Sequence, residues 1–212
     1  MTPNTKTKLK NEMQIRSMPV FAPAAEQKRL DSNYYVEGYA ARYDPYVLWE
    51  DEDGPVYERF ERGCFDNCDM GDIIFQFNHQ GTVMARQSNG SLIVEHDDVG
   101  LFTAADLSRT EAARRLYEEI STGMITKMSW GFYLGDYYYD KESRTIVHRT
   151  VKKIFDVSAV SIPANNNTEI NARSWVDGVI DLAARSEAEL DERRRRLRLK
   201  INLNKEDLTN EN

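Results

Sequence analysis

The chain is expected to fold as a mainly β protein with peripheral α-helices. Three observations lead there. Short runs rich in Tyr, Val, Ile and Phe alternate apolar with polar residues and are divided by turn signals such as Ser88-Asn89-Gly90 and Asp97-Asp98-Val99-Gly100. Only one stretch of the central body, Ser108 to Thr122, carries a helical period with start and stop signals. No run of about 18 apolar residues exists to span a membrane. At 212 residues there is room for one domain with a substantial core plus appendages.

Taken in order, residues 1 to 30 show no sustained period and read as a flexible basic arm. From Tyr35, the residues Tyr35, Glu37, Tyr39 and Ala41 alternate with Val36, Gly38, Ala40 and Arg42, which predicts a strand ending at Asp44-Pro45. An acidic loop, Glu50 to Gly54, precedes a second strand in VYERFERGCF. The segment GDIIFQFNHQG carries a short apolar run with His79 at its end, and VMARQ, SLIVEH and LFTAADL read as an antiparallel meander. In the helix, Ser108 with Glu111 forms a capping box, Leu107 staples the first turn, Ala112, Leu116 and Ile120 form the buried stripe, and Gly123 supplies the left-handed stop. Met124 to Phe132 follows as a strand, then Tyr137 to Tyr139, RTIVHRTV and KIFDVSAVSIP, which Pro163 stops. Beyond Arg173 the composition shifts to Ala, Leu, Glu and Arg. A helix capped by Ser186 and Glu189 fits to about Arg198, although Leu197, Leu199, Ile201 and Leu203 also alternate as a strand would. Arg193 to Arg196 read as a solvated face.

Charge narrows the function. The net charge is −7, and residues 31 to 175 hold 24 acidic against 14 basic side chains. A body this acidic repels phosphate backbones, so no nucleic-acid partner is expected, and the lack of a spanning apolar run leaves no membrane expected either. The polar start lacks a hydrophobic secretion segment, and two cysteines are too few for a disulfide framework, so an intracellular setting with free thiols is expected.

Ser129 is the chemically interesting residue of the strand it sits in. With Ile125, Lys127 and Gly131 it occupies the face opposite the more apolar Met124, Thr126, Met128, Trp130 and Phe132, so it is expected to look outward, with Gly131 leaving room beside it. It is not on a G-x-S-x-G elbow, which excludes that hydrolase type. A serine nucleophile needs a base, and three histidines exist. His79 ends an apolar strand before Gly81, His96 lies in an acidic turn, and His148 sits within an ordinary strand; His79 is preferred, with the other two left open. Asp156 is the one charge in the apolar run FDVSAVSI. It is either a buried carboxylate that orients the imidazole or the partner of Lys152 or Lys153. Cys64 and Cys68 with His79 lack a clear fourth ligand for zinc, and no Gly-rich phosphate loop is present, so neither metal nor cofactor is expected.

Four stretches carry a family resemblance: EGYAARYD, ERFERGCFD, FNH ending at His79, and KMSWGF around Ser129 followed by FDVSAVSIPAN. Over about Tyr35 to Asn166 the chain resembles the prohead (capsid maturation) proteases of tailed bacteriophages, serine proteases whose fold is similar to the herpesvirus assemblins. Gln80 and Trp130 are mild departures, standing where Asp and Phe are usual. The resemblance implies an antiparallel β-barrel, closed or nearly so, over residues 31 to 172; the arm of 1 to 30 and an amphipathic helical tail of 173 to 212, read from composition, flank it. It also implies His79 as general base, Ser129 as nucleophile and Asp156 as third member, where herpesvirus relatives use a second histidine. The substrates it implies are the scaffolding segment of the major capsid protein and the protease itself, within the immature capsid in the host cytoplasm. The turn from Pro163 to Thr168 is a candidate source of oxyanion donors. The alternative is a non-catalytic scaffold or capsid-associated binding module on the same fold, in which Ser129 and His79 need not touch.

Overall fold

Tight hairpins supply the local order. The computed structural model describes residues 13–19, 21–22, 28–161, 180, 183–186 and 188–198. The strands are β1 (Met13–Pro19), β2 (Phe21–Ala22), β3 (Tyr35–Arg42), β4 (Tyr46–Asp51), β5 (Gly54–Phe60), β6 (Ile74–Phe77), β7 (Gln80–Arg86), β8 (Leu92–His96), β9 (Gly100–Asp106), β10 (Lys127–Leu134), β11 (Tyr137–Asp140), β12 (Thr145–His148) and β13 (Val151–Val160). Four antiparallel hairpins join β4 to β5, β6 to β7, β8 to β9 and β11 to β12. Their turns are made by the expected chemistry: Asp97 Oδ1, for example, accepts from the backbone N–H groups of Val99 at 2.7 Å and Gly100 at 3.1 Å.

The hairpins assemble into three sheets, ordered β1-β10-β13-β6-β7, β11-β12-β5-β4 and β2-β3-β9-β8. The protein is mainly β, as expected, but among the described residues no sheet closes on itself into a barrel. The meander expected after His79 also breaks. β7 stays with β6, while β8 and β9 join β3, because a 3-10 turn at Gln87–Asn89 and Gly90 at φ 74° redirect the chain between them. Nor is the pairing wholly antiparallel, since β5 runs parallel to β12 and β6 parallel to β13. Parallel neighbours need long crossovers, so local turn signals do not reveal them.

The helix α1 spans Glu111–Ser121, and its N-cap lies two residues later than the capping box implied. Thr110 Oγ1, not Ser108, accepts from the Ala113 N–H at 3.1 Å. Its buried positions are Ala113 and Leu116, so the stripe is turned from Ala112 by one residue. The chain clusters into two units, Met1–Arg173 and Ser174–Asn212. In the second, residues 183–186 and 188–198 are helical, and exposed arginines pair along the helix, Arg196 with Glu192 at 2.6 Å and Arg194 with Asp191 at 3.3 Å. No described helix is long and apolar enough to cross a membrane.

Within the arm expected over residues 1 to 30, residues 13–19 require correction, because they form strand β1. β1 pairs antiparallel along the whole first part of β10, Arg16 opposite Trp130 and Ser17 opposite Ser129. β10 would otherwise present a row of unpaired N–H and C=O groups, and a partner strand satisfies them. Arg16 anchors this strand. Its Nε and Nη2 donate to Glu58 Oε2 at 2.6 Å and Oε1 at 3.0 Å, His148 Nε2 meets Oε1 at 2.7 Å, and Tyr46 OH donates to Oε2. Glu58 and His148 are fully buried, and the cluster lies against the aromatic core of Trp130, Phe132, Phe60 and Phe65.

Burial alone would raise the Glu58 carboxyl, but Arg16 and then His148 outweigh it and hold the group well below the usual carboxylate range. Removing the charge takes from the buried Arg16 guanidinium the carboxylate that balances it, so Glu58→Gln is expected to cost about 3 to 5 kcal/mol of stability at pH 7. Since the folded group titrates below the unfolded one, that contribution is fully present above the unfolded value of 4.5 and is lost as pH falls through the folded value. Calorimetry at pH 7 and pH 3 should therefore show the gap between wild type and variant narrowing in acid. An unchanged gap would contradict the pairing.

Candidate active site

The three residues singled out by sequence converge. His79 sits in the two-residue turn between β6 and β7, where Asn78 at φ 51° and His79 at φ 56° both adopt the left-handed conformation of a type I′ hairpin. Asparagine tolerates that region and histidine does so less readily, which makes this a strained position fixed by its surroundings. β13 provides the fixing. The Asn78 backbone N–H donates to the Ala159 carbonyl at 2.9 Å, the Asn78 side chain bonds Ser161, and the His79 N–H donates to Ser158 Oγ at 3.2 Å.

The imidazole then bridges two strands. His79 Nε2 lies 2.7 Å from Ser129 Oγ on β10, and Nδ1 lies 2.5 Å from Asp156 Oδ2 on β13. Sheet register accounts for this, because β10 and β13 are neighbours with Ser129 opposite Ser158 and Gly131 opposite Asp156. Ser158 Oγ donates a second hydrogen bond to Asp156 Oδ2 at 2.8 Å. A carboxylate accepting at Oδ2 calls for a proton on Nδ1, the tautomer that leaves Nε2 free to accept from a hydroxyl. Asp156 is thus buried with partners, and neither neighbouring lysine is one of them: Lys153 Nζ pairs instead with Asp69 at 2.8 Å.

Gly131 leaves room, but for the carboxylate rather than for an outside molecule. A Cβ built there would lie 2.3 Å from Asp156 Oδ1 and 2.8 Å from Phe155 Cε2. The outward face expected for Ser129 also requires correction, since its exposure is 0%. β10 is buried on both sides, and the Ser129 hydroxyl is also within donating distance of the Arg16 carbonyl on β1, at 2.9 Å.

The remaining candidates lie elsewhere. His96 ends β8 exposed, beside a surface cleft of about 610 Å³ lined by Tyr43, Arg62 and Asp66 among others, and this cleft holds none of the three converging residues. His148 is committed to Glu58. Burial raises both thiols, Cys68 to about 12, so neither resembles an activated nucleophile, and both ring nitrogens of His79 are engaged away from them. Among the described residues no group of three or more His, Cys, Asp and Glu is placed to hold a metal. The turn from Pro163 to Thr168 lies outside the described residues.

The cluster of Arg16, Glu58 and His148 was not anticipated. One signal for it was present: in β5, Glu58 shares its face with Val56 and Phe60, a charge where strand alternation demands an apolar residue.

Comparisons with known proteins follow the same residues. The sequence profile of the caudovirus prohead serine proteases matches residues 23–178. No curated protein matches the chain in sequence. Among solved structures, the bacteriophage T4 capsid assembly protease gp21 aligns with a TM-score of 0.43 and 13% identity over 72% of this chain and all of that one, a likeness too slight to carry an argument. The profile spans most of the chain, including the turn, the two strands and the three side chains that meet there, and the chain belongs to the caudovirus prohead serine protease family.

Proposed function

We propose that the protein is a serine endopeptidase that cleaves the scaffolding segment of the major capsid protein, and itself, inside the immature capsid in the host cytoplasm. Ser129 Oγ attacks the peptide carbonyl, and His79 Nε2 takes its proton and returns it to the leaving amine. Asp156 holds the imidazole in the accepting tautomer and stabilises the cation that forms. Water then hydrolyses the acyl ester by the same route. Backbone amides near Ser129 must stabilise the tetrahedral oxyanion, each worth about 3 to 4 kcal/mol. The chemistry needs no metal or cofactor, and no nucleic acid or membrane takes part.

One observation carries this reading: a single imidazole within hydrogen-bonding distance of both the Ser129 hydroxyl and a buried carboxylate. A purely structural role for the fold asks for no such contact, and a histidine held at φ 56° is a cost that a structural strand end has no need to bear. Family membership favours the same class of chemistry.

Co-expression with the capsid protein tests the proposal. Wild type should remove the scaffolding segment and trim its own chain, both read as intact masses, while Ser129→Ala should leave both polypeptides whole. Equal processing by the two would overturn the assignment. A second expectation concerns the glycine beside the carboxylate. Gly131→Ala must displace Asp156 or Phe155, and a misplacement of about 1 Å lowers turnover by about 10²-fold. Processing rates of this variant near the wild-type value would show that Asp156 need not stay where it is.

A further inference from the structure

The nucleophile is covered by the protein's own chain. Ser129 is 0% exposed, and the strand lying across it is β1, the terminal strand of its sheet. An extended substrate reaching Ser129 would add to the same edge of β10, since strand addition satisfies the same backbone groups. Edge and occupant are therefore mutually exclusive. Arg16 of β1 meets the hydroxyl: its carbonyl oxygen is 2.9 Å from Ser129 Oγ, which, with a C=O bond of about 1.2 Å, leaves the carbonyl carbon within about 4 Å of the nucleophile. That oxygen faces the hydroxyl and competes for the proton His79 would accept, so β1 is held in an unreactive pose.

The Arg16 side chain fills a formed pocket. Glu58 closes it with two hydrogen bonds to the guanidinium, Tyr46 and His148 hold the Glu58 oxygens in place, and the ring of Phe132 lies 5.9 Å from the guanidinium carbon. Two parallel N–H to O bonds from a planar fork are specific for arginine, and a lysine ammonium matches the charge alone. A neutral or acidic side chain would leave the buried Glu58 carboxylate without the guanidinium that chiefly balances it, with His148 and Tyr46 as its remaining partners.

We infer that β1 is a substrate-shaped plug, and that Glu58 with Tyr46 and His148 forms the pocket selecting a basic residue, arginine above lysine, on the amino side of the bond that is cut. This rests on the endopeptidase reading and extends it to substrate class. When a substrate strand replaces β1, its arginine takes the place of Arg16 and its carbonyl turns away from the hydroxyl. Ser129 Oγ then bonds to that carbonyl carbon, the following C–N bond breaks, the serine proton passes through His79 to the departing amine, and water releases the arginine carboxylate.

The test uses the full chain co-assembled with the capsid protein, as wild type and as Ser129→Ala, with every new C-terminus mapped by mass spectrometry. Ser129-dependent C-termini should be Arg or Lys at least tenfold more often than composition predicts. A synthetic peptide Gln-Ile-Arg-Ser-Met should slow processing at least tenfold more effectively than Gln-Ile-Glu-Ser-Met. Ser129-dependent C-termini with no basic enrichment overturn the pocket while leaving the endopeptidase reading intact, and Arg16 with Glu58 is then a structural tie only. Cleavage that does not depend on Ser129, or none at all, overturns both.

Discussion

His79→Ala is expected to lower kcat for peptide-bond cleavage by about 10⁶-fold, as much as loss of the serine itself, because nucleophile and base act as one unit. Among the described residues, the ring nitrogen within hydrogen-bonding distance of the Ser129 hydroxyl is His79 Nε2, at 2.7 Å. The other histidines cannot substitute: His96 is exposed at the end of β8 and His148 is locked against Glu58 in another sheet. Some stability is lost as well, because the buried Asp156 carboxylate loses its imidazole partner and keeps the Ser158 hydroxyl as donor, so rates are compared below the melting temperature of the variant. Single-turnover rates on the capsid protein, with the melting temperature as control, check this. A loss of less than tenfold below that temperature would remove His79 from the chemistry.

The second large effect is expected at Asp156. Asp156→Asn keeps the shape but offers an amide where Nδ1–H and Ser158 Oγ–H both need an acceptor at Oδ2. If the amide nitrogen faces His79, the ring must carry its proton on Nε2 and no longer accepts from Ser129. Loss of charge also removes stabilisation of the imidazolium. Together these lower kcat by about 10⁴-fold with KM nearly unchanged. Asp156→Ala should fall as far and destabilise the fold as well, because it removes the acceptor of the buried Ser158 hydroxyl. A variant Asp156→Asn with a rate within tenfold of wild type would reassign the orienting role.

Much of this site was legible in the sequence. Serine with glycine two residues on in an otherwise apolar strand, a carboxylate alone in FDVSAVSI and a histidine at a strand end each violated the local pattern in a way that binding or chemistry explains. Their convergence was not legible from spacing. It depends on β6 running parallel to β13, a pairing across about eighty residues that brings the Asn78-His79 turn to Ser158 and Ser161. The turn itself was readable only as a strand end, because the left-handed pair is Asn-His rather than Asn-Gly.

The mistakes share a cause. Alternation shows which residues share a face, not what covers it. Ser129 was assigned correctly to the face opposite Trp130, yet it is buried because β1 supplies a neighbour that its basic, irregular sequence context concealed. The same long-range pairing brings Arg16 to Glu58 across 42 residues, so a charge that looked like part of a flexible arm neutralises one set on the apolar face of β5. Charged side chains are placed in sequence readings by their usual exposure, and a bidentate partner reverses that rule.

The proposed chemistry turns on the hydroxyl of Ser129 being made nucleophilic by His79. A fluorophosphonate probe applied to processing-competent assemblies, followed by peptide mass mapping, tests this most directly. The protein should carry one phosphonyl adduct, on Ser129, that appears as capsid cleavage proceeds and is absent from His79→Ala. An adduct on another residue, or continued cleavage with Ser129 unlabelled, would contradict it.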